Sequence, residues 1–442
     1  MRKLIFIISS ILISCQNLSI KQADNILEPD FEKYSLVNNS RLEKALKKKN
    51  LNLDDIYALA VERTEKLAIE YANLKESEAE KIKAYSLFLP KISLRYQQNL
   101  INSNGSGSWI YFYAKQPLFS GLKEIYWFDK INSNIKVKEN LLKYKAQRLY
   151  LEVAKAYYEA LISKENLKSK KTSLDLLESR LTELRRRKKL GRSRQSEVLS
   201  ASSQIAMLKA DIQEENLKNQ VNRENLIFLA GLPRDFSLDI NISKDAENLA
   251  KETLKNNEKV NIENRFDISA SKELLQYAET DLKSAYASYL PEISLQGNYN
   301  LKGSSSGSSS EKYSLQLNAE MPILYGTETL SNINTAKIRL NKAEFSHSET
   351  VRLAQSEIQK AKINLKAALS KEKAYEDAYN AAQKNYEVQN KEYSLGLVTN
   401  LDVLSALNDL EAAKIKYHKS KTDILINTIW LKIASGSQIQ FE

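Results

Sequence analysis

The apolar and polar positions of this chain repeat with two different periods, and each period predicts its own kind of element. From Gly121 to Gly191, and again from Gly326 to Gly396, apolar residues recur at helical spacing and no glycine or proline intervenes. Each stretch predicts a helix of about 65 residues, or roughly 100 Å. Four shorter segments predict strands, at residues 91–101, 109–119, 292–302 and 312–323.

Alternation is clearest in the last predicted strand, where apolar residues occupy every second position from Tyr313 to Met321. The run Trp109–Tyr113 departs from alternation, because its residues are all aromatic or aliphatic. That composition is typical of the aromatic girdle of a membrane strand, and a buried strand would have the same composition.

The long helices carry a heptad-like apolar seam, which predicts that they pack side by side. In the first half of the chain the seam consists of Leu174, Leu177, Leu181, Leu184, Val198, Ala201, Ile205, Leu208 and Ile212. The second half carries, 205 positions after its last five members, Val403, Ala406, Leu410, Ala413 and Tyr417.

The seam is one part of an internal repeat that covers nearly the whole chain. The segment Ala84–Leu94 recurs 201 positions later as Ala285–Leu295, and Glu197–Ala201 recurs 205 positions later as Asp402–Ala406. The change of offset places the length difference in two Ser/Gly-rich loops, at 102–108 and 303–310. We therefore predict two repeats, at residues 51–237 and 238–442, each with the order helix, strand, loop, strand, long helix, long helix.

Composition argues against bond chemistry. The 442 residues include one cysteine and two histidines, so a disulfide within the chain is excluded and a zinc or histidine-based catalytic site has few candidate residues. The Gly-Ser loops lack the lysine of a phosphate-binding loop. We predict that the protein is not an enzyme and holds no metal and no cofactor.

The N-terminus predicts secretion. Arg2 and Lys3 precede the apolar run Leu4–Ile13, which is too short to span a membrane as a helix. The run leads to Cys15, the single cysteine of the chain. We predict a lipoprotein-type signal peptide at 1–14, lipidation of Cys15 and an N-terminal segment at 15–50. The alternative is an ordinary signal peptide that contains a cysteine.

The predicted strands have the length of membrane-spanning strands, about 9–11 residues. Four strands cannot close a barrel, and an open sheet in lipid leaves its edge groups without hydrogen bonds. Either the strands form a sheet outside the membrane, or several chains share one barrel. Two chains would supply eight strands and three would supply twelve.

Several motifs make the chain resemble the TolC family of outer-membrane efflux proteins over residues 51–436. They are Leu-Pro-x-Ile-Ser at 89–93 and 290–294, Leu-Ala-Gly-Leu-Pro at 229–233, the run Leu395–Leu404 and the run Arg265–Ile268, where the family often has proline in place of Phe266. The resemblance implies a mostly α fold with β: long coiled-coil-like helices form an α-barrel tunnel, and four strands per chain form part of a trimeric 12-stranded transmembrane β-barrel. Many family members are lipoproteins, which agrees with Cys15.

The function that the resemblance implies is the exit duct of a tripartite drug efflux pump or of a type I secretion system, in the outer membrane with its tunnel in the periplasm. The implied partners are two further copies of the chain, outer-membrane lipid, a periplasmic adaptor protein and, through the adaptor, an inner-membrane pump; nucleic acid is not expected. The alternative is a lipid-anchored periplasmic coiled-coil scaffold without a pore. A scaffold would explain the long helices, but not the two pairs of membrane-length strands around Ser/Gly loops.

The resemblance also assigns roles to the two turns between paired long helices. The constriction candidates are Tyr393, Asp402 and Glu197, with Arg192 and Arg194 as possible partners of the carboxylates. Asp402 also has a structural interpretation as the N-cap of a helix. Ser405 and Val398 stand where some members carry Asp and Arg.

The same turns form the tip at which an adaptor is expected to dock. The docking candidates are Leu190, Gly191, Arg192, Arg194, Leu395, Gly396, Leu397 and Thr399. The preceding run Arg185–Lys189 has two interpretations, a nucleic-acid patch or a helix C-terminus and partner-docking surface. We favour the second, because five consecutive residues surround a helix and a secreted protein meets little nucleic acid.

Overall fold

The structure is a computed structural model that describes residues 48, 50–99, 107–232, 234, 236–238, 246–256, 262–304, 312–323 and 327–437. The described chain forms two compact units. The sheet unit takes its described residues from Ile69–Lys143 and Phe266–Arg352, and the tip unit takes them from Tyr34–Ala68, Tyr144–Arg265 and Leu353–Glu442. The signal peptide and Cys15 lie outside the described residues.

The elements follow one order twice. The first series is α2 (Glu65–Tyr85), β2 (Lys91–Asn99), β3 (Gly107–Ser120), α3 (Lys123–Lys189) and α4 (Gln195–Ala230). The second series is α6 (Phe266–Tyr286), β5 (Glu292–Ser304), β6 (Tyr313–Glu320), α7 (Glu328–Leu395) and α8 (Asn400–Ala434). The order is the one that the sequence predicts for each repeat.

The four predicted strands are present and form one antiparallel sheet in the order β2-β3-β5-β6. The last strand is shorter than predicted, because it ends at Glu320 and not at residue 323. Glu320 is paired with Glu292, the first residue of β5, so residues 321–323 have no partner on that strand. Pro322 also has no N–H to donate.

The long helices are confirmed, with 67 residues in α3 and 68 in α7. Each helix is followed within two residues by a glycine with a left-handed backbone, Gly191 (φ 71°) after α3 and Gly396 (φ 77°) after α7, and the chain reverses there into α4 and α8. Because glycine adopts this conformation without a Cβ clash, the two glycines determine where the helical hairpins turn.

The first half of the predicted seam forms a core cluster of the tip unit, whereas in the second half Val403 joins that cluster and Leu410, Ala413 and Tyr417 are only half-buried. The buried members of the cluster on α3 and α4 are Leu177, Leu181, Leu184, Val198, Ala201, Ile205, Leu208 and Ile212. Residues of the second hairpin complete the same cluster, namely Tyr393, Val403, Leu404 and Leu407. The two hairpins therefore pack against each other close to their turns.

Several short elements were not predicted from the sequence. They are β1 (Asn50–Leu51), which pairs in parallel with β4 (Ser237–Leu238), and the helices α1 (Leu53–Arg63) and α5 (Ala246–Asn256). Helix α5 places Ala246 and Ala250 in a second core cluster with residues of α7 and α8. Elements this short carry too few periods for a pattern to identify them.

The run that begins at Arg265 has a structural role in the tip unit. The Arg265 side chain is buried; it donates to the carbonyl of Ala434 (2.6 Å) and to Glu357 (2.8 Å), and Arg148 also pairs with Glu357 (2.8 Å). Burial acts to raise the pKa of Glu357, but its hydrogen bond with Arg265 and the nearby charges hold it below the ordinary value. The network joins α3, α7 and the end of α8.

Among the described residues, no helix combines the length and the apolar character that crossing a membrane requires.

Candidate functional site

The sheet has one apolar face, and its side chains are uncovered within the chain. Strand pairing places Leu94 opposite Phe112, and Leu295 opposite Leu317. Large apolar side chains that belong to this face are exposed by 43–73%: Ile92, Leu94, Tyr96, Phe112, Tyr299, Leu301, Tyr313, Leu315 and Leu317. An exposed apolar surface of this extent is typical of a face that contacts another protein or lipid.

The opposite face of the sheet is polar. It pairs Arg95 with Tyr111, Ser93 with Tyr113, and Gln296 with Gln316. The Arg95 guanidinium lies 3.6 Å from the centre of the Tyr113 ring. The aromatic run therefore alternates after all, with Phe112 on the apolar face and the two tyrosines on the polar face.

The length of the strands and the two unpaired edges of the sheet indicate how it can assemble. Nine residues of strand, as in β2, extend about 30 Å, which is the thickness of the hydrocarbon core of a bilayer. Within the described sheet, β2 and β6 are edge strands that pair on one side only. A two-faced sheet of this length with two open edges can join further strands at both edges.

At the other candidate site, the two turns of the tip have the same backbone. After α3, the N–H groups of Gly191 and Arg192 bond the carbonyls of Lys188 (2.9 Å) and Arg187 (2.9 Å). After α7, those of Gly396 and Leu397 bond the carbonyls of Tyr393 (3.1 Å) and Glu392 (3.0 Å). A Cβ at either glycine would meet nothing within 4 Å, so the space beside both turns is open.

The two candidate carboxylates of the constriction cap helices. Asp402 accepts from the backbone N–H (2.8 Å) and the hydroxyl (2.6 Å) of Thr399, and these hydrogen bonds lower the pKa of Asp402. The N-cap interpretation of Asp402 is wrong by three positions: Thr399 is the N-cap, and Asp402 is the third residue of a capping box.

Glu197 has the same role at the start of α4. It accepts from the backbone N–H of Arg194 (3.2 Å) and from the hydroxyl of Ser193. The two carboxylates therefore bond groups of their own turns. In the described part of the protomer, neither forms an ion pair with the guanidinium of Arg192 or Arg194.

Tyr393, the third constriction candidate, is buried between the hairpins, with only 7% of its surface exposed. The guanidinium of Arg180 lies 3.9 Å from its ring centre, and that of Arg187 lies 4.9 Å away. Burial raises the pKa of Tyr393, and the two cations partly oppose that effect. The Tyr393 ring thus makes cation–π contacts with two arginines of α3.

Sequence reasoning missed the residue that contacts Tyr393 most closely. Arg180 donates to Asn400 (3.0 Å) and to Asn390 (3.2 Å), so it links α3 to both helices of the second hairpin. Among the described residues, its Nη2 atom and the Nδ2 atom of Asn400 are buried without a hydrogen-bond partner. Arg180 also lines a cavity of about 210 Å³. The sequence offered one indication of this role, because Arg180 is a cation that lies between the apolar seam residues Leu177 and Leu184.

The structure therefore brings some of the candidates together. Tyr393 meets Arg180 and Arg187, while Asp402 and Glu197 stay at the starts of their own helices. Among the described residues, no group of His, Cys, Asp and Glu is placed to hold a metal ion.

Comparisons with known proteins agree with these features. Residues 259–437 match the family model described as "Outer membrane efflux protein". Outer membrane protein TolC of Vibrio cholerae is 23% identical over 400 residues, which cover 87% of this chain and 91% of that protein.

Two further comparisons extend the likeness. Alkaline protease secretion protein AprF of Pseudomonas aeruginosa is 24% identical over 174 residues, which cover 38% of this chain and 35% of that protein. The crystal structure of the open state of the MtrE outer membrane channel of Neisseria gonorrhoeae superposes with a TM-score of 0.74 at 18% identity, covering 88% of this chain and 90% of that chain. At that identity the superposition establishes the fold alone.

Proposed function

This chain belongs to the TolC-like outer membrane efflux protein family, and from that premise we propose that it is one protomer of a trimeric exit duct in the outer membrane. The duct would serve a tripartite drug efflux pump or a type I secretion system. Both functions are named among the comparisons, since the matching family model is described as an outer membrane efflux protein and one relative is an alkaline protease secretion protein.

The observation that carries the proposal is the two-faced sheet. Its apolar face suits lipid and its polar face suits a water-filled lumen, which is the arrangement of a transmembrane β-barrel. Because β2 and β6 pair on one side only, each can accept a strand of a neighbouring protomer. Three copies would close a barrel of twelve strands, and the duplicated order of elements would give the tunnel twelve long helices.

The tip supports a second part of the proposal, a constriction that an adaptor opens. The Arg180 network joins the two hairpins through neutral amides and a tyrosine ring, and Asp402 and Glu197 lie on the adjoining turns. A hydrogen bond from a charged donor stabilises such an arrangement by about 1.5–3 kcal/mol, and a cation–π contact by about 0.5–2 kcal/mol. A partner that binds the open form more tightly by several kcal/mol would switch the equilibrium.

The remaining parts of the proposal concern docking and anchoring. The adaptor would contact the exposed turns, which comprise Leu190, Gly191, Arg192, Arg194, Leu395, Gly396, Leu397 and Thr399, and would link the duct to an inner-membrane pump. A lipid on Cys15 would add a second anchor in the outer membrane.

The experiment that tests the proposal combines assembly and conductance. The full-length protein, purified in detergent from membranes, is examined by native mass spectrometry and in planar lipid bilayers. We expect a trimer that conducts ions in discrete steps. A stable monomer, or a protein released from membranes without detergent once lipidation is prevented, would contradict the duct and favour a lipid-anchored scaffold.

A further inference from the structure

The two turns of the tip have the same backbone but opposite character. Residues 185–194 contain seven cations and no acid: Arg185, Arg186, Arg187, Lys188, Lys189, Arg192 and Arg194. The equivalent residues of the second repeat, 390–399, contain one cation, Lys391, and one acid, Glu392. Instead of cations, the second turn exposes Leu395 and Leu397, by 66% and 71%.

Helix capping does not account for the cations. A cation near a helix C-terminus contributes about 0.3–1 kcal/mol, and that benefit would apply equally to α3 and α7. The α7 turn makes the same pair of backbone hydrogen bonds with no net charge. The second turn is thus an internal control, and it shows that the hairpin forms without a basic run.

Within the part of the chain that the structure describes, few of these cations have an acidic partner. Arg187 pairs with Glu183 (2.5 Å), and Lys188 donates to Gln195. The other five side chains of the run are exposed to solvent: Arg185, Arg186, Lys189, Arg192 and Arg194. Neighbouring like charges repel one another, so this turn is less stable alone than beside an anion.

We infer that the first turn is a docking surface for an acidic partner protein, which presents Asp or Glu side chains to Arg192 and Arg194 and apolar side chains to Leu395 and Leu397. The inference rests on the proposed function, because a duct must join a partner at this end. The combination of an apolar contact with a charged one is typical of protein interfaces. Charge complementarity would select the partner and its orientation on the two turns.

The test uses the detergent-solubilised full-length assembly and two synthetic helical hairpins. One hairpin has a turn rich in glutamate with flanking leucines, and its matched control has glutamine in place of each glutamate. We expect the acidic hairpin to bind at least about tenfold more tightly, which corresponds to roughly 1.4 kcal/mol. Raising the salt concentration from about 50 to about 300 mM should remove most of that preference.

Matched variants locate the effect. Arg192→Gln combined with Arg194→Gln should weaken binding of the acidic hairpin about tenfold, and lysine at both positions should restore it to within about threefold of wild type. Lys360→Gln combined with Lys366→Gln removes two exposed cations from α7, away from the turns, and should change nothing. Equal affinity for the two hairpins, or equal effects of the two double glutamine variants, would overturn the inference.

Two further measurements separate the alternatives. Binding of phosphatidylglycerol vesicles that depends on Arg192 and Arg194, without discrimination between the hairpins, would identify the turn as a lipid site and overturn the inference. Single-channel conductance is recorded on the same preparation. If the wild-type assembly conducts ions but does not prefer the acidic hairpin, the docking surface alone is refuted. If the wild-type assembly does not conduct ions, the proposed function is refuted.

Discussion

Single side chains decide how the two hairpins meet at the tip. Arg180 bonds Asn390 and Asn400 and covers the ring of Tyr393, so one guanidinium contacts three side chains of the second hairpin. The carboxylates of Asp402 and Glu197, in contrast, bond the donors of their own turns. The contact between the two hairpins therefore depends on Arg180 more than on either carboxylate.

We expect Arg180→Met to raise the single-channel conductance, because it removes both amide contacts and the cation–π contact while it keeps an apolar stem against the seam. Tyr393→Phe combined with Asp402→Ala should raise the conductance less, since the ring remains under the guanidinium. Lys209→Met, which loses a pair with Glu178 outside the network, is the matched control. If Arg180→Met forms intact trimers with wild-type conductance, the network is not the constriction.

The lowered pKa of Asp402 leads to a prediction about ion selectivity. Three copies of an acidic side chain near the axis would favour cations, whatever the net charge of the chain. A lowered pKa keeps Asp402 ionised as the pH falls through the ordinary aspartate range near 4, and its charge is lost only at more acidic pH. We therefore expect reversal potentials to show a cation preference that persists below pH 4 and decreases in Asp402→Asn. A preference that is the same in the variant would assign it to other residues.

At the scale of elements, the sheet separates apolar side chains on one face from polar side chains on the other. Leu317 and Gln316 are neighbours on β6 and project to opposite faces, one apolar and one polar. Both are exposed within the single chain. The proposed barrel would put lipid against the first and water against the second.

Arginine scanning at these two positions tests the orientation of the sheet. Leu317→Arg should destabilise the assembly by about 2–4 kcal/mol, because it moves a charge into the hydrocarbon core. Gln316→Arg adds the same charge to the proposed lumen and should change stability by less than about 1 kcal/mol. The measurement is the fraction of intact trimer after heating in detergent. Equal effects of the two variants would contradict a lipid-facing side.

At the scale of the whole molecule, two proposed membrane anchors can be tested separately, the lipid on Cys15 and the barrel. Cys15→Ala should abolish incorporation of labelled palmitate and leave the protein in the membrane fraction, because the proposed barrel holds it there independently of the lipid. Washing membranes at high salt and alkaline pH distinguishes an integral protein from an adsorbed one. Release of the variant by that wash would show that the lipid was the main anchor.

The sequence by itself determined the long helices, the strands and their repeated order. Those features depend on local causes: the absence of glycine and proline between Gly121 and Gly191, alternation from Tyr313 to Met321, and an apolar seam with heptad spacing. A period along the chain specifies which element forms and which residues share a face, without knowledge of any partner. The elements α1 and α5 were missed because they are too short to show a period.

Tertiary structure alone decided which residues meet across the chain. Arg180 lies 220 positions from Asn400 and 210 from Asn390, and no local pattern encodes a pairing over that separation. Strand pairing placed Tyr111 and Tyr113 on the polar face, which composition had left open. Thr399 became the cap and Asp402 its reciprocal partner because the helix begins one residue after the threonine. Periodicity is a property of neighbours, whereas these contacts depend on how packed hairpins bring distant side chains together.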